Sequence, residues 1–316
     1  MNKEIGGYLE LDNFSMPMKY ENGIKLNCGR NALAYLIEAN QINKIWLPYF
    51  ICDSVVNVCK KYNVQIERYH INKYFNPLID IKCKNEWIYI VNYYGQLSEN
   101  QIIELTHNYQ NIIIDNAQAY FISPFPGTHT IYTCRKFFGV SDGGILFTNK
   151  HLDRKIDSDY SYERIKFVLG RYEKKASNFF QLSSLNNDMF DNEDIKYMSR
   201  LTENLLHAID YDAIELKRTK NYLYLYSKLE EYNYLKLKKV KGAYMYPLYI
   251  DNSQKIKQML INKKIYIPTL WPNVLEELDD NYLEYKFAMN ILPLPCDQRY
   301  DIGDMKRIIK IIKESI

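Results

Sequence analysis

The chain is predicted to have an α/β fold, with a large unit built on a mostly parallel sheet and a smaller α+β unit after it. Three observations carry this. Short apolar runs alternate with amphipathic stretches through the first half, as expected where helices cover the faces of a parallel sheet. The run Asn111 to Asp115 sets three consecutive isoleucines before an acid, and strands buried on both faces have that near-continuous apolar character. After a charged, Tyr-rich and mostly helical stretch from about 151 to 235, strand and helix patterns resume at Gly242.

The elements follow in order. Ala32 to Ala39 reads as a helix beginning just after Gly29, and Ile45-Trp46-Leu47 as a strand ended by Pro48. Cys52 to Tyr62 carries helical periodicity, Val64 to Tyr69 reads as a strand, and Trp87 to Asn92 as another that runs into Tyr94-Gly95. Ser98 with Gln101 makes a capping box for a helix through His107. Thr130 to Cys134 and Ile145 to Phe147 read as strands on either side of a turn around Lys136 and Gly139. In the last part, Gly242 to Ile250 and Lys264 to Pro268 read as strands and Ser253 to Asn262 as a helix. Asp301 caps a final helix whose apolar face is Met305, Ile308, Ile309 and Ile312.

Composition narrows the function classes. The 41 Lys+Arg against 38 Asp+Glu give a net charge of +3 over 316 residues, too even for a basic nucleic-acid scaffold. No run reaches the length of a membrane span, and Met1-Asn2-Lys3-Glu4 lacks a signal-peptide core. The six cysteines form no C-x-x-C pair and the five histidines no H-E-x-x-H group, so no metal site is expected. Reduced thiols in a cytoplasmic protein are the expectation. The 30 tyrosines reflect a coding bias that also favours Asn, Ile and Lys.

Three local patterns could carry chemistry. Cys28-Gly29-Arg30-Asn31 is a glycine turn leading directly into a helix; exposed amides and the helix dipole suit a phosphate there, although an ordinary helix start looks the same. Asp115-Asn116-Ala117-Gln118 puts a carboxylate at a strand tip and an amide three residues on. The acid could hold a ring nitrogen protonated, or simply cap the next turn. Thr133-Cys134-Arg135-Lys136-Phe137-Phe138-Gly139 sets a lysine between a cation and aromatics, with Gly143-Gly144 following. That setting lowers a lysine pKa and frees the amine as a nucleophile, while Arg135-Lys136 alone reads as a solvated basic pair.

A phosphate cradle, an acid for a ring nitrogen and a lysine for an aldehyde, in that order, describe pyridoxal 5'-phosphate. In these motifs the sequence resembles the DegT-type family of sugar aminotransferases. Tyr94-Gly95-Gln96, Tyr197-Met198-Ser199-Arg200-Leu201, Ile265 to Pro272 and Leu292-Pro293-Leu294-Pro295 extend the resemblance over nearly the whole chain. It implies the fold-type I architecture of pyridoxal-phosphate enzymes, with a mostly parallel seven-stranded sheet in a large domain (1–235) and a small C-terminal α+β domain (236–316).

The resemblance also implies roles. Lys136 would form the Schiff base and shuttle the proton, Asp115 would hold the pyridine nitrogen, and Gln118 would contact the ring's hydroxyl side. Gly29 and the amides of Arg30 and Asn31 would take the phosphate, with Thr133 as its hydroxyl ligand because Ile131 stands five residues before the lysine. Cys52 occupies the position where the family stacks an aromatic, leaving Tyr93, Tyr49 or Phe50 to substitute. The implied reaction moves an amino group from glutamate to a nucleotide-linked keto-sugar, in a homodimer. A dehydratase or amino-acid-acting enzyme of the same fold, and a catalytically lapsed binder, are the alternatives. Trp271 is a candidate pocket wall, and Arg299 is read as a structural ion pair in preference to a carboxylate binder.

Overall fold

A computed structural model describes residues 5–79 and 85–316. Met1 to Glu4, read above for a signal sequence, and Cys83 lie outside the described residues. The large sheet is built from β1 (Ile24–Leu26), β2 (Lys44–Pro48), β3 (Gln65–Ile71), β4 (Pro77–Leu78), β5 (Trp87–Val91), β6 (Asn111–Asp115), β7 (His129–Thr133) and β8 (Gly144–Phe147). Its spatial order is β1-β8-β7-β6-β5-β2-β3-β4. The run from β7 to β3 is parallel, while β8, β1 and β4 pair antiparallel at the two sides. The mostly parallel α/β expectation is met, with eight strands where seven were implied. The short β1 and β4 carry too few residues to leave a periodic signal.

Helices α1 (Gly29–Asn40), α2 (Asp53–Lys61) and α3 (Glu99–Asn108) connect the first strands. The capping box at Ser98 forms as its sequence predicts, with Gln101 answering from the first turn of α3. The charged middle stretch folds into α4 (Lys166–Glu173), α5 (Phe180–Met189), α6 (Arg200–Leu206) and α7 (Tyr211–Leu229). Next come β9 (Met245–Tyr249), α8 (Ser253–Asn262), α9 (Val274–Glu277), α10 (Leu283–Asn290), β10 (Ile291–Pro295) and α11 (Ile302–Lys313).

Strands β9 and β10 form a separate antiparallel pair in which Pro293 faces Pro247. Proline has no N–H to give, so this register leaves Pro247, Pro293 and Pro295 in the phase whose N–H would point outward. The pair packs with α7, α8 and α11 through Tyr246, Leu248, Leu225, Ile256 and Met305, all fully buried. Lys264 to Pro268 is not a strand, contrary to the sequence expectation. Lys264 takes a left-handed φ of 61°, and the amides of Lys264 and Ile265 close the end of α8 on Ile261 and Leu260, so they are spent before a ladder could use them. No helix among the described residues is long and apolar enough to cross a membrane.

Candidate active site

The carboxyl ends of β6 and β7, the start of α1 and the start of α2 surround a cleft of about 200 Å³. Carboxyl ends of parallel strands are where open α/β sheets place their ligands. Gly29, Arg30, Asp115, Gln118, Thr133 and Lys136 all line it. Three separated sequence motifs therefore converge on one space.

Two glycines make the convergence possible. Gly143 has a φ of 116° and donates its N–H to Asn27 O at 2.5 Å. A Cβ on Gly144 would fall 2.6 Å from the carbonyl of Cys28, so only glycine lets β8 lie directly under the start of α1. Cys28 is the N-cap, and its Sγ accepts from Asn31 N at 3.4 Å.

The lysine turn is held from behind. Phe137 and Phe138 are buried in an aromatic cluster with Tyr120 and Tyr211, and Phe137 O accepts from Gln298 Nε2 (2.7 Å) and Arg218 Nη2 (3.2 Å). With its neighbours anchored, Lys136 stands on the opposite side of the turn, in the cleft. Its side chain is reached by solvent through the cleft mouth. It is still enclosed enough that burial lowers its pKa, against the opposing pull of Asp115 and Cys52 and with help from Arg135 and Arg30. Lys136 Nζ also sits 5.7 Å from the centre of the Tyr244 ring.

Asp115 ends β6, where its Oδ1 accepts from Ala117 N at 2.8 Å. Burial raises its pKa, and Lys136, the Ala117 amide and Tyr89 pull it back down. Each member of the acid and lysine pair thus favours the charged state of the other in a site that penalises both. Gln118 is fixed by accepting from Tyr94 N at 2.9 Å, a bond set up by the left-handed turn at Tyr94 (φ 52°) and Gly95 (φ 75°).

Two expectations need correction. Tyr93 does not reach the cleft: its hydroxyl donates to Phe50 O at 2.6 Å, and its ring packs with Phe50, Phe75 and Trp271. The local turn geometry points it into the core, so it cannot lie on a ligand there. Asn31 turns away as well. Its amide is taken by Cys28, and its side chain donates to Asn27 Oδ1 (2.7 Å) and Asp194 O (2.8 Å). Phe50 is buried beside Tyr93, and Tyr49 stacks on His70 at 4.6 Å; the aromatics that do line the cleft are Tyr89 and Trp271. Arg299 forms the two-point pair with Asp297 (2.6 and 2.8 Å) that the structural reading expects.

Sequence reasoning missed Arg135 and Asn187, which also line the cleft. Asn187 lies on α5, and nothing in the local pattern of that exposed helix signals a contact with α1. A trio of Glu21, Glu203 and His207 gathers elsewhere on the surface, where Lys25 already pairs with both carboxylates at 2.5 and 2.7 Å.

No protein-family model matches the sequence, and no curated protein matches it either. Solved structures do. A DegT DnrJ EryC1 StrS aminotransferase from Brucella abortus superposes with a TM-score of 0.61 at 14% identity, over 94% of this chain and 87% of that one. The chain has the fold of the DegT-type aminotransferases. The sugar aminotransferase CalS13 from Micromonospora echinospora gives 0.62 at 14% identity, over 93% and 87% of the two chains. The E. coli GDP-4-keto-6-deoxy-D-mannose-3-dehydratase with bound hydrated PLP gives 0.60 at 13% identity, over 92% and 87%. The DegT-type fold thus accommodates this chain along nearly its full length.

Proposed function

We propose that the protein is a pyridoxal 5'-phosphate-dependent aminotransferase that moves an amino group from glutamate to a nucleotide-linked keto-sugar, for surface polysaccharide or other amino-sugar synthesis. The observation that carries this is the convergence of Lys136 and Asp115, with their opposed pKa shifts, on one cleft closed by a helix N-terminus. The cleft fits the cofactor chemically. It offers an amine for an aldehyde, an acid for a pyridine nitrogen, and the N-terminal turn of α1 at Gly29 and Arg30 for a phosphate. Among the described residues the buried Nε atoms of Arg30 and Arg135 have no aligned hydrogen-bond partner, although Arg30 Nε lies 3.1 Å from Asp191.

When bound, the cofactor supplies the electron sink that stabilises a carbanion. The chain's residues supply the rest. Lys136, whose pKa burial lowers, would supply the amine for an aldehyde and afterwards hold a proton at Nζ. Asp115 keeps a positive ring nitrogen in place by charge pairing, and Gln118 presents its remaining amide hydrogens to the ring's hydroxyl. Thr133 offers its hydroxyl toward the phosphate. Trp271 and Tyr89 supply the aromatic wall of the cleft.

The reading includes a division into a larger cofactor-holding part up to residue 235 and a smaller part from 236 onward. It also includes a cytoplasmic homodimer. Support for the dimer comes from α4 and α5, which leave Leu169, Tyr172, Phe180 and Leu185 between 55% and 93% exposed, an apolar surface of the kind that second subunits cover.

A dehydratase of this fold is the competing reaction, since one such enzyme superposes on the chain. Incubation with amino-¹⁵N glutamate and a nucleotide-linked keto-sugar separates the two. Label in the sugar product supports the aminotransferase, and a dehydrated sugar without nitrogen contradicts it.

A further inference from the structure

Arg30 and Arg135 both line the cleft beside the start of α1, and among the described residues Arg135 has no carboxylate partner. Arg30 donates to Asn187 O at 2.8 Å and to Asn187 Oδ1 at 3.2 Å, and Arg135 donates to the same Oδ1 at 3.0 Å. One neutral amide oxygen therefore serves two cations. The face of Arg135 lies 4.6 Å from the Phe190 ring, while its Nε is buried without a partner.

Two of the nearby carboxylates are committed elsewhere. Asp142 accepts from Ser199 and Thr202, and Asp159 pairs with Arg164 at 2.5 Å. Asp191 comes within 3.1 Å of Arg30 Nε but is 40% exposed, and the pair is not aligned as a hydrogen bond. Burial pulls the Arg135 pKa down to about 10, the mark of a cation removed from water without full compensation. Cations so placed cost free energy until an anion joins them.

We infer that Arg30 and Arg135 form a two-guanidinium clamp for a phosphate monoester seated at the start of α1, and that the Asn187 side-chain oxygen is a stand-in which the phosphate displaces. The cofactor reading supplies only the identity of the ester; the clamp itself follows from the arginines. A guanidinium offers paired donors that match two oxygens of a phosphate, which an amide oxygen cannot satisfy. Sequence reasoning gave the phosphate to backbone amides and a hydroxyl. The clamp adds two positive charges to that site and makes the dianion, not the pyridine ring, the main source of affinity.

The test uses the full chain with three probes: inorganic phosphate, pyridoxal 5'-phosphate and pyridoxal. Inorganic phosphate at constant ionic strength is expected to raise the unfolding temperature of the wild type but not of Arg135→Met. The preference for pyridoxal 5'-phosphate over pyridoxal, read by absorption titration, is expected to fall about 10- to 100-fold in Arg30→Met and in Arg135→Met. Asn187→Ala is expected to keep or strengthen phosphate binding, because it removes the competing acceptor; a purely structural Asn187 would weaken it. Should Arg135→Met fail to fold, Arg135→Lys keeps the charge without the fork and is expected to lose part of the preference.

An unchanged preference in the arginine variants, or weakened phosphate binding in Asn187→Ala, overturns the clamp. The outcomes separate from those of the proposed function. Phosphate binding that depends on the arginines, with neither pyridoxal form attaching to Lys136, keeps the clamp and ends the cofactor reading. Equal attachment of both forms in the wild type does the reverse.

Discussion

The two ends of the cleft are built in different ways. At one end, Asp115 and Lys136 each stand within a few residues of the strand that places them, β6 and β7. At the other end, Arg30 on α1 and Arg135 beyond β7 meet only through Asn187, more than fifty residues downstream on α5. The first end is positioned by sheet topology, which fixes strand ends to within a residue. The second depends on a helix whose exposed apolar side gives it few constraints of its own. Chemistry that must be exact is thus seated on the rigid sheet, and ligand holding is shared with a more loosely supported segment.

The largest expected effect tests the rigid end. Lys136→Ala is expected to abolish covalent capture of pyridoxal 5'-phosphate. Borohydride reduction followed by peptide mass mapping should find an adduct on the Lys136 peptide of the wild type and none in the variant. An adduct on another lysine would mean that sheet topology has not selected the reactive amine.

Next in size is the charge coupling across that end. Asp115 raises the pKa of Lys136, opposing burial, so Asp115→Asn should lower it further. The pH profile for capture of an aldehyde should then shift toward acid, while turnover with glutamate falls on the order of 100-fold, as expected for losing a charged hydrogen-bond partner. A profile that moves toward base would contradict the pairing.

The same shifts predict stability. Lys136 binds fewer protons folded than unfolded, so its burial destabilises the cofactor-free protein below its ordinary pKa; Asp115 binds more, so its burial destabilises above its ordinary pKa. Both penalties are present near neutral pH. The double variant Asp115→Asn with Lys136→Met should therefore gain stability in cofactor-free unfolding at pH 7, by a margin that solvent access to Lys136 keeps small, and a loss would show that the pair stabilises the fold.

The smallest effect on chemistry, though not on stability, concerns the junction of the two ends. Gly144→Ala would press a methyl group onto the Cys28 carbonyl at 2.6 Å. It should cost about 1–3 kcal/mol of unfolding free energy and weaken phosphate binding more than it slows captured cofactor. Denaturant titration and phosphate titration together check this.

Local sequence carried much of this architecture because its signals are local. The isoleucines before Asp115, the Ser98 and Gln101 box and the Asp301 cap announce elements within a few residues. Lys136, Asp115, Gln118 and Thr133 can be singled out because each ends or closely follows a readable strand. The direction of the Tyr93 side chain is not legible in the sequence, since after a strand it depends on the left-handed turn at Tyr94 and Gly95, which a residue type alone does not fix. Arg135 reads as a solvated charge in the sequence because its partner Asn187 is brought to it only by tertiary packing. Lys264 to Pro268 had strand-like composition but was claimed by the end of α8.

The most direct test is the absorption spectrum of the protein reconstituted with pyridoxal 5'-phosphate, taken before and after glutamate. The account predicts a visible band in the wild type that glutamate moves to shorter wavelength and that Lys136→Ala lacks. A wild-type spectrum indistinguishable from free cofactor, unchanged by any amino donor, would contradict it.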